Sequence, residues 1–299
     1  MKTVVVGSFT PSVLMDIARS SGRLAAHDLE VTEVSVASSP GQFRSLLSGE
    51  VDLALTSPDN VLAYRFSPAN TLGELLDARI LGAVDRGLGL YAAPGLSAAD
   101  LRGATVGVDI PTSGLALAMY ALGDSLSIGR GDCQLVTLGS TPKRLAALLD
   151  GQGTATMLNA GNELAAEAAG CVRLAGISEV CGPYLGTVVA GTGDTHVEAG
   201  ARLSAALTAT ATAVLNGDLT EEATEAAARR LDLDHTLAGR YVDRLRDPAE
   251  GLVPDGEVDD ASLSTLVALR TRYLPVPDGG GGDVLDAALR EGSGLVHRA

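Results

Sequence analysis

Basic residues are scarce in this chain of 299 amino acids. Lys and Arg together number 22 against 37 Asp and Glu, which gives a formal net charge of −15, and Lys2 and Lys143 are the only lysines. Aromatic residues make up just 3% of the sequence. A nucleic-acid partner requires a basic face for its phosphates, often with aromatic platforms for its bases. The composition therefore argues against nucleic-acid binding.

Long apolar runs are also missing. Hydrophobic residues account for 46% of the chain, but no stretch of about 18 uninterrupted apolar residues occurs, so we expect no membrane insertion. The apolar run Val4–Val6 is shorter than the core of a secretory signal peptide. We therefore expect a cytoplasmic protein as the sequence stands, or an extracytoplasmic one if a leader has been removed.

Cysteine and histidine form no metal-binding pattern. Cys133, Cys171 and Cys181 show no CxxC spacing, and the four histidines are scattered along the chain. We therefore expect neither a metal nor a cofactor. The cysteines are expected to be free thiols, although Cys171 and Cys181 could pair in an oxidising compartment.

What the sequence does contain is a regular alternation of short apolar strands and amphipathic helices with short connections. This alternation is typical of parallel βαβ units. In the first hundred residues it predicts strands at Val4–Val6, Leu29–Ala37, Val51–Leu55, Ile80–Val84 and Leu88–Ala92.

The same pattern begins again about one hundred residues later. Residues 104–111 resemble residues 4–11, with a glycine and a proline at matching positions, and residues 141–151 resemble residues 39–49. Two similar α/β sheets in tandem explain this offset more simply than one domain does. We therefore predict an α/β fold of two lobes, each an open and mostly parallel sheet flanked by helices, with a ligand cleft between them.

The two predicted lobes differ in the number of chain segments that form them. Lobe 1 is expected to be discontinuous, made of residues 1–91 and 191–299, and lobe 2 is expected to span residues 92–190. The C-terminal part of lobe 1 is predicted to contain helices that cover the lobe, followed by a flexible joint, a short helix at Asp283–Leu289 and a loose tail. The covering helices are predicted at Ala201–Leu215, Thr220–Leu231 and Ser262–Tyr273.

Candidate ligand contacts follow from a general rule. Ligands of open parallel sheets bind beyond the carboxyl ends of the strands, where helix N-termini favour anionic groups. Most of the residues at these positions carry hydroxyl, amide or carboxyl groups, which are also ordinary helix caps, and the two aromatic ones could instead belong to the core. The candidate ligand-binding residues are Ser8, Phe9, Thr10, Ser38, Ser39, Thr56, Ser57, Asp59, Asp109, Thr112, Ser113, Gly114, Ser140, Thr141, Asn159 and Tyr184.

Some of these residues lie in segments that resemble a known family. The run Ser39–Asn60 resembles the "ALxxGxxDxA" segment of ABC-transporter substrate-binding proteins of the nitrate, sulfonate and taurine type, which have relatives in thiamine-pyrimidine synthesis. Asp100–Val108 resembles the "DLKGKxVGV" segment that leads into their second lobe, and residues 109–114 resemble the ligand loop that follows it. The resemblance covers roughly residues 1–215 and implies a type II periplasmic binding protein fold, whose two lobes close around a solute.

The resemblance implies a solute-binding protein for a small anionic or heterocyclic molecule, monomeric, with an ABC permease as its partner. Two alternatives stay open. One is a cytoplasmic enzyme that reuses the cleft, such as a decarboxylase or lyase acting on a small carboxylate, with Asp59 or Asp109 as its acid or base. The other is a ligand sensor. The cysteine cluster of the eukaryotic pyrimidine synthases is absent, so that activity is not expected.

Overall fold

The computed structural model describes residues 1–274, 285–290 and 292–297. Within residues 1–274, ten strands form two sheets, and twelve α-helices and two short 3-10 turns, at Ala98–Leu101 and Arg130–Asp132, surround these sheets. The strands are β1 (Lys2–Ser8), β2 (Leu29–Ser35), β3 (Leu53–Thr56), β4 (Ala78–Asp85), β5 (Gly89–Ala92), β6 (Thr105–Val108), β7 (Gln134–Thr137), β8 (Ala155–Leu158), β9 (Val172–Gly176) and β10 (Thr187–Thr192). The helices are α1 (Val13–Ser20), α2 (Arg23–Ala26), α3 (Ser39–Ser48), α4 (Pro58–Phe66), α5 (Gly114–Ser125), α6 (Thr141–Leu149), α7 (Asn162–Ala168), α8 (Ile177–Cys181), α9 (Gly193–Leu215), α10 (Thr220–Leu231), α11 (His235–Leu245) and α12 (Asp260–Tyr273).

The two sheets share one topology. The first has the order β2-β1-β3-β10-β4 and the second the order β7-β6-β8-β5-β9. In the first sheet β1 pairs parallel with β2 and β3, whereas β10 runs antiparallel to β3 and β4. In the second sheet β6 and β5 make the equivalent parallel and antiparallel pairings. The predicted α/β class, with two similar sheets in tandem, is confirmed.

In each sheet, the antiparallel strand is the first one that the chain forms after it crosses over from the other sheet. Sheet membership changes between Asp85 and Gly89 and again between Gly176 and Thr187. Strand β5 therefore lies in the second sheet and β10 in the first, a few residues from the limits predicted at 91/92 and 190/191. The crossings come earlier because each incoming strand pairs on both sides as soon as it enters its new sheet.

The C-terminal part of the chain contacts both lobes. Helix α9 packs on the first sheet, α10 packs on α1 and α11, and α11 also contacts α7 of the second lobe. Helix α12 packs against α4 of the first lobe and α5 of the second. The predicted flexible joint and the start of the predicted helix at Asp283–Leu289 lie outside the described residues, and residues 285–288 are helical. The tail that was expected to be loose instead joins the edge of the first sheet, where the Ile80 N–H donates to the Leu295 carbonyl at 2.7 Å.

The cysteines and the lengths of the helices relate to two of the expectations from the sequence. Cys133, Cys171 and Cys181 are all unpaired. Within the described ranges, no helix is long and apolar enough to cross a bilayer.

Helix α9 lies so close to β4 that two glycines face neighbours with no room for a methyl group. A Cβ on Gly200 would lie 2.0 Å from Leu81 Cδ1, and one on Gly82 would lie 1.7 Å from Ser204 Oγ. Both distances are far below van der Waals contact. Glycine at these two positions is what allows the long helix to cover the sheet.

This packing predicts that a glycine-to-alanine substitution changes the free energy of unfolding in opposite directions at two helical positions. Gly200→Ala should lower the free energy of unfolding by about 1–3 kcal/mol, because the added methyl overpacks the α9–β4 contact. Gly239→Ala in α11, where a Cβ would meet no atom within 4 Å, should raise it by about 0.5–1 kcal/mol through helix propensity. Chemical denaturation of both variants measures the difference. Stabilisation by Gly200→Ala would contradict the close packing.

Candidate ligand-binding cleft

A cleft lies between the two lobes at the carboxyl ends of their parallel strands. Its empty volume is about 930 Å³, part of which is open to solvent. The segments after β1 and β3 form one wall, and the segments after β6 and β8 with the start of α6 form the other. The end of β4 and the start of β10, where the chain crosses between lobes, close it at the back.

The rule about carboxyl ends places most candidate residues in this cleft. Ten of the sixteen line it, namely Ser8, Phe9, Thr10, Ser38, Thr56, Ser57, Asp109, Ser140, Thr141 and Asn159. The other six do not line it, namely Ser39, Asp59, Thr112, Ser113, Gly114 and Tyr184. Whether the ten bind a ligand stays a prediction, but the structure brings them together from both lobes.

Asp59 is placed away from the cleft by a partner distant in sequence. It is 1% exposed, and its two carboxylate oxygens accept hydrogen bonds from Arg270 Nη1 at 3.0 and 3.2 Å. The backbone N–H of Gly114 also donates to it across the lobe boundary. A Cβ on Gly114 would lie 2.6 Å from Asp59 Cβ, so the two residues are in direct contact. Asp59 therefore joins the lobes and is unsuited to the acid–base role considered from the sequence.

Tyr184 is also a structural residue. It is 2% exposed and packs in the core that includes α5 and α12. Of the alternatives left open for the two aromatic candidates, Tyr184 therefore belongs to the core, whereas Phe9 lines the cleft.

Several of the cleft hydroxyls are already used as helix caps. The Ser12, Ser38 and Ser57 hydroxyls accept hydrogen bonds from backbone N–H groups in the first turns of α1, α3 and α4. Ser113 does the same for α5 and also donates to Asp109. By contrast, Ser140 precedes α6 without a side-chain cap bond. At the N-terminus of α6, the Ser140 hydroxyl therefore makes no capping hydrogen bond, unlike the serines before α1, α3, α4 and α5.

Arg144, which sequence reasoning missed, is the buried cation of the cleft. It is 1% exposed, and it donates to the Gly139 carbonyl at 2.5 Å, to Thr141 Oγ1 at 2.9 Å and to the Met157 carbonyl at 3.2 Å. Its Nε has no hydrogen-bond partner within the described residues. The guanidinium is therefore fixed in place by its two Nη groups, while its Nε–H makes no hydrogen bond within the described residues.

The internal repeat contains a pattern that could have indicated Arg144 as a buried residue of the site. Aligning residues 39–49 with 141–151 places Gln42 on Arg144. Gln42 is fully buried and donates to the carbonyls of Gly7 and Leu55, just as Arg144 donates to backbone carbonyls of its own lobe. The two lobes thus use the same helix position to tie a first-turn side chain to the sheet, and only lobe 2 uses a charged one.

Asp109 is a second charged group in the cleft. It is 8% exposed, it accepts a short hydrogen bond from the Ser113 hydroxyl, and the Ile110 backbone N–H also donates to it. Burial raises the pKa of Asp109, while the nearby Arg144 guanidinium and the Ser113 hydroxyl oppose that rise. Its carboxylate is therefore only partly compensated by these neighbours, and its pKa stays above the usual value.

Asp85, at the end of β4, is the third charged group of the cleft, and sequence reasoning missed it too. The side chain is half-buried, and burial raises its pKa to about 6, with hydrogen bonds from Thr187 opposing the rise. The carboxyl-end rule applies to β4 as well, but β4 is followed by a strand, β5, and not by a helix. Tyr241 and Leu245, which also line the cleft, lie on α11, whose apolar residues repeat at helical spacing and could have indicated it.

Contacts between the lobes flank the cleft. Asn162 Nδ2 of lobe 2 donates to Thr10 Oγ1 of lobe 1 at 3.3 Å. On α7, Glu167 accepts from Arg240 and Arg244 of α11 at 2.5 and 3.5 Å. These contacts bring the two walls together around the enclosed space.

In the described part of the chain, no group of three or more His, Cys, Asp or Glu side chains could hold a metal ion. No family model and no curated protein matches the sequence.

Solved structures resemble this chain over nearly its whole length. A protein from Bordetella bronchiseptica gives a TM-score of 0.76 at 16% identity and covers 100% of this chain and 95% of its own. The alkanesulfonate-binding protein of Xanthomonas axonopodis pv. citri, solved with MOPS, gives 0.74 at 17% identity, covering 99% and 98%. The periplasmic nitrate-binding protein of Synechocystis gives 0.74 at 13% identity, covering 95% and 85%. The chain therefore has the two-lobed type II periplasmic binding protein fold that the resemblance implied.

The Asp59–Arg270 contact predicts unequal effects for two neighbouring arginines of α12. Arg270→Ala should cost about 3–5 kcal/mol of unfolding free energy, because it leaves the buried Asp59 carboxylate uncompensated. Arg272→Ala removes an ion pair to Asp124 from a side chain that is 64% exposed, and should cost about 0–1 kcal/mol. Urea denaturation at neutral pH compares the two. Similar losses would show that the buried pair is not needed.

Glu163 of α7 predicts a pH dependence of stability. It is 6% exposed, and burial raises its pKa to about 7, although the Gly161 N–H donates to it. Since the folded-state pKa lies above the unfolded one of about 4.3, this group lowers stability as the pH rises from about 4.5 to 7. Glu163→Gln should remove that loss, so its advantage over the wild type should be up to about 3 kcal/mol larger at pH 8 than at pH 4.

The control for this experiment is Glu222→Gln, at an exposed position on α10. Its difference from the wild type should stay constant over the same pH range. An equal pH dependence in the two variants would contradict the assignment to Glu163.

Proposed function

We propose that this protein is a solute-binding protein of the ABC-transporter type, which holds a small molecule with an anionic group between its two lobes. The observation that carries the proposal is the unpartnered Nε of the buried Arg144 in the first turn of α6. Ser140, which precedes this helix, has a hydroxyl that makes no capping hydrogen bond. A buried donor without a partner costs about 1–3 kcal/mol. A carboxylate, sulfonate or similar oxyanion that reached Nε from the cleft would remove that cost, and the α6 N-terminus favours the same charge.

The comparisons support this class of ligand by analogy. An alkanesulfonate-binding protein and a nitrate-binding protein, each named for an anion, share the fold over nearly the whole chain. In the proposed role the protein acts as a monomer outside the cytoplasm, and lobe closure on the solute is what an ABC permease would recognise.

A second candidate function is an enzyme acting on a small carboxylate in the same cleft. Two carboxyl groups with raised pKa values, Asp85 and Asp109, line the cleft together with the Arg144 guanidinium. A decarboxylase or lyase would need such a group near neutral pH as its acid or base. Asp85 and Asp109 are therefore the residues to test, and Asp59 is no longer one of them.

The first experiment is native mass spectrometry of the freshly purified protein, followed by thermal unfolding with carboxylates, sulfonates, phosphate and nitrate. We expect at least one oxyanion to raise the melting temperature and to be recovered unchanged. A compound that is recovered altered, with turnover lost in Asp109→Asn or Asp85→Asn, would favour the enzyme over the binding protein.

The contribution of Arg144 is measured with Arg144→Lys, which keeps the charge but loses the guanidinium fork, and with Ser140→Ala. Loss of a hydrogen bond to a charged group, worth about 1.5–3 kcal/mol, should weaken oxyanion binding about 10- to 100-fold. Lys143→Ala is the control, because Lys143 lies on the same helix but does not line the cleft. Unchanged oxyanion affinity in Arg144→Lys and Ser140→Ala, with folding intact, would overturn the anion assignment.

A further inference from the structure

A carboxylate occupies a position of β2 where the alternation of the strand predicts an apolar residue. Side chains two positions apart along a strand lie on the same face of the sheet. Glu33 therefore shares a face with Leu29 and Val31, which are both buried, and its own side chain is only 7% exposed. Burying a carboxylate is costly unless it is paired and hydrogen-bonded. The partners of Glu33 are therefore the reason to look for a role.

Two of these partners lie at the two ends of the segment that joins β1 to α1. Glu33 Oε1 accepts hydrogen bonds from the Ser8 hydroxyl at 2.6 Å and from the Ser12 backbone N–H at 2.8 Å. Ser8 ends β1, and Ser12 is the N-cap of α1. All residues of this 8–12 segment line the cleft, whereas Glu33 does not. A side chain outside the cleft therefore holds both ends of a segment that forms its wall.

The third partner comes from the C-terminal part of the chain. Arg230 of α10 donates to Glu33 Oε2 through a short contact between Nη2 and the carboxylate, and so supplies the compensating charge. The preceding residue, Arg229, instead donates to Asp16 of α1 at 3.1 Å. Both arginines thus join α10 to the first lobe, but Arg230 is the one bonded to the carboxylate that holds the cleft wall.

We propose that Glu33 and Arg230 are positioning residues of the cleft, which fix the 8–12 segment in the shape that a solute meets without touching the solute. This inference rests on the proposed function, because it assumes that the segment takes part in binding. The segment also contacts the opposite lobe, since Thr10 Oγ1 accepts from Asn162 Nδ2 at 3.3 Å. A segment fixed before binding removes an ordering cost that otherwise weakens affinity.

A purely structural role would use these two residues only to attach α10 to β2. Buried ion pairs contribute little net stability compared with apolar residues of similar volume, so attachment alone does not favour a carboxylate at this position. The bonds of Glu33 Oε1 go to the ends of the 8–12 segment and not to α10. The geometry therefore favours a role in shaping the cleft wall.

The first test compares the two adjacent arginines of α10. Wild type, Arg230→Ala, Arg229→Ala and Arg230→Lys are titrated calorimetrically with acetate, ethanesulfonate, phosphate and nitrate. We expect Arg230→Ala to weaken the anion that binds wild type best by about 10-fold, because the 8–12 segment must then be ordered on binding. Arg229→Ala, which removes a partly exposed ion pair of the same helix, should stay within about twofold of wild type. Arg230→Lys should restore most of the affinity.

A second readout needs no ligand. Without Arg230, the Glu33 carboxylate lacks its cation, and we expect it to turn toward water and release the Ser12 N–H. Hydrogen exchange of the unliganded protein, followed by mass spectrometry, should then show about 10-fold faster exchange over residues 8–12 in Arg230→Ala. Glu33→Ala, which removes the acceptor itself, should show the same local change. Exchange over these residues in Arg229→Ala should match that of wild type.

The outcomes separate this inference from the proposed function. Equal losses of affinity in Arg230→Ala and Arg229→Ala would indicate a general effect of α10 and overturn the inference, while an anion-binding protein stands. Unchanged affinity or unchanged exchange in Arg230→Ala would overturn it as well. If none of the four anions binds wild type, the proposed function fails, and faster exchange confined to residues 8–12 would still support Glu33 and Arg230 as the residues that hold the cleft wall.

Discussion

The arrangement of the lobes depends on one buried contact, the Asp59–Arg270 ion pair with the Gly114 N–H. It joins α4 of lobe 1, α5 of lobe 2 and α12, which contacts both. A buried charge pair is stable only if its remaining hydrogen-bonding groups are satisfied, because desolvation of the ions is costly. Asp59 follows the cleft residue Ser57 by two positions. The contact that holds the lobes together therefore also sets the cleft wall.

This contact shows where reasoning from the sequence stops. The offset of about one hundred residues indicated two sheets, and the carboxyl-end rule indicated most of the cleft wall, because both depend on local patterns. Asp59 satisfies the same local rule, yet a partner 211 residues away removes it from the cleft. At strand β7 the local sequence pattern misses an element that the structure contains. It is a largely exposed edge strand without the apolar pattern that indicates a strand.

The internal repeat explains how two similar lobes come to differ chemically. Gln42 and Arg144 occupy equivalent helix positions, and both donate to backbone carbonyls. The Gln42 amide ties the helix to the sheet with its Nε2 and leaves its Oε1 without a partner among the described residues. A guanidinium does the same with its Nη groups and still has Nε left over. One change of side chain thus replaces an unpartnered acceptor in lobe 1 by an unpartnered donor in lobe 2 without altering the shared topology.

Contacts outside the cleft cannot by themselves make closure depend on a ligand. The Asn162–Thr10 hydrogen bond and the pairs of Glu167 with Arg240 and Arg244 involve protein groups only, and partly exposed ion pairs of this kind contribute about 0–1 kcal/mol each. A ligand shifts a conformational equilibrium only by the difference in its affinity for the two states. That difference must come from groups inside the cleft that the protein leaves unpaired. Arg144 Nε, which has no hydrogen-bond partner within the described residues, is such a group. A solute that contacted it together with lobe 1 would therefore favour the closed arrangement.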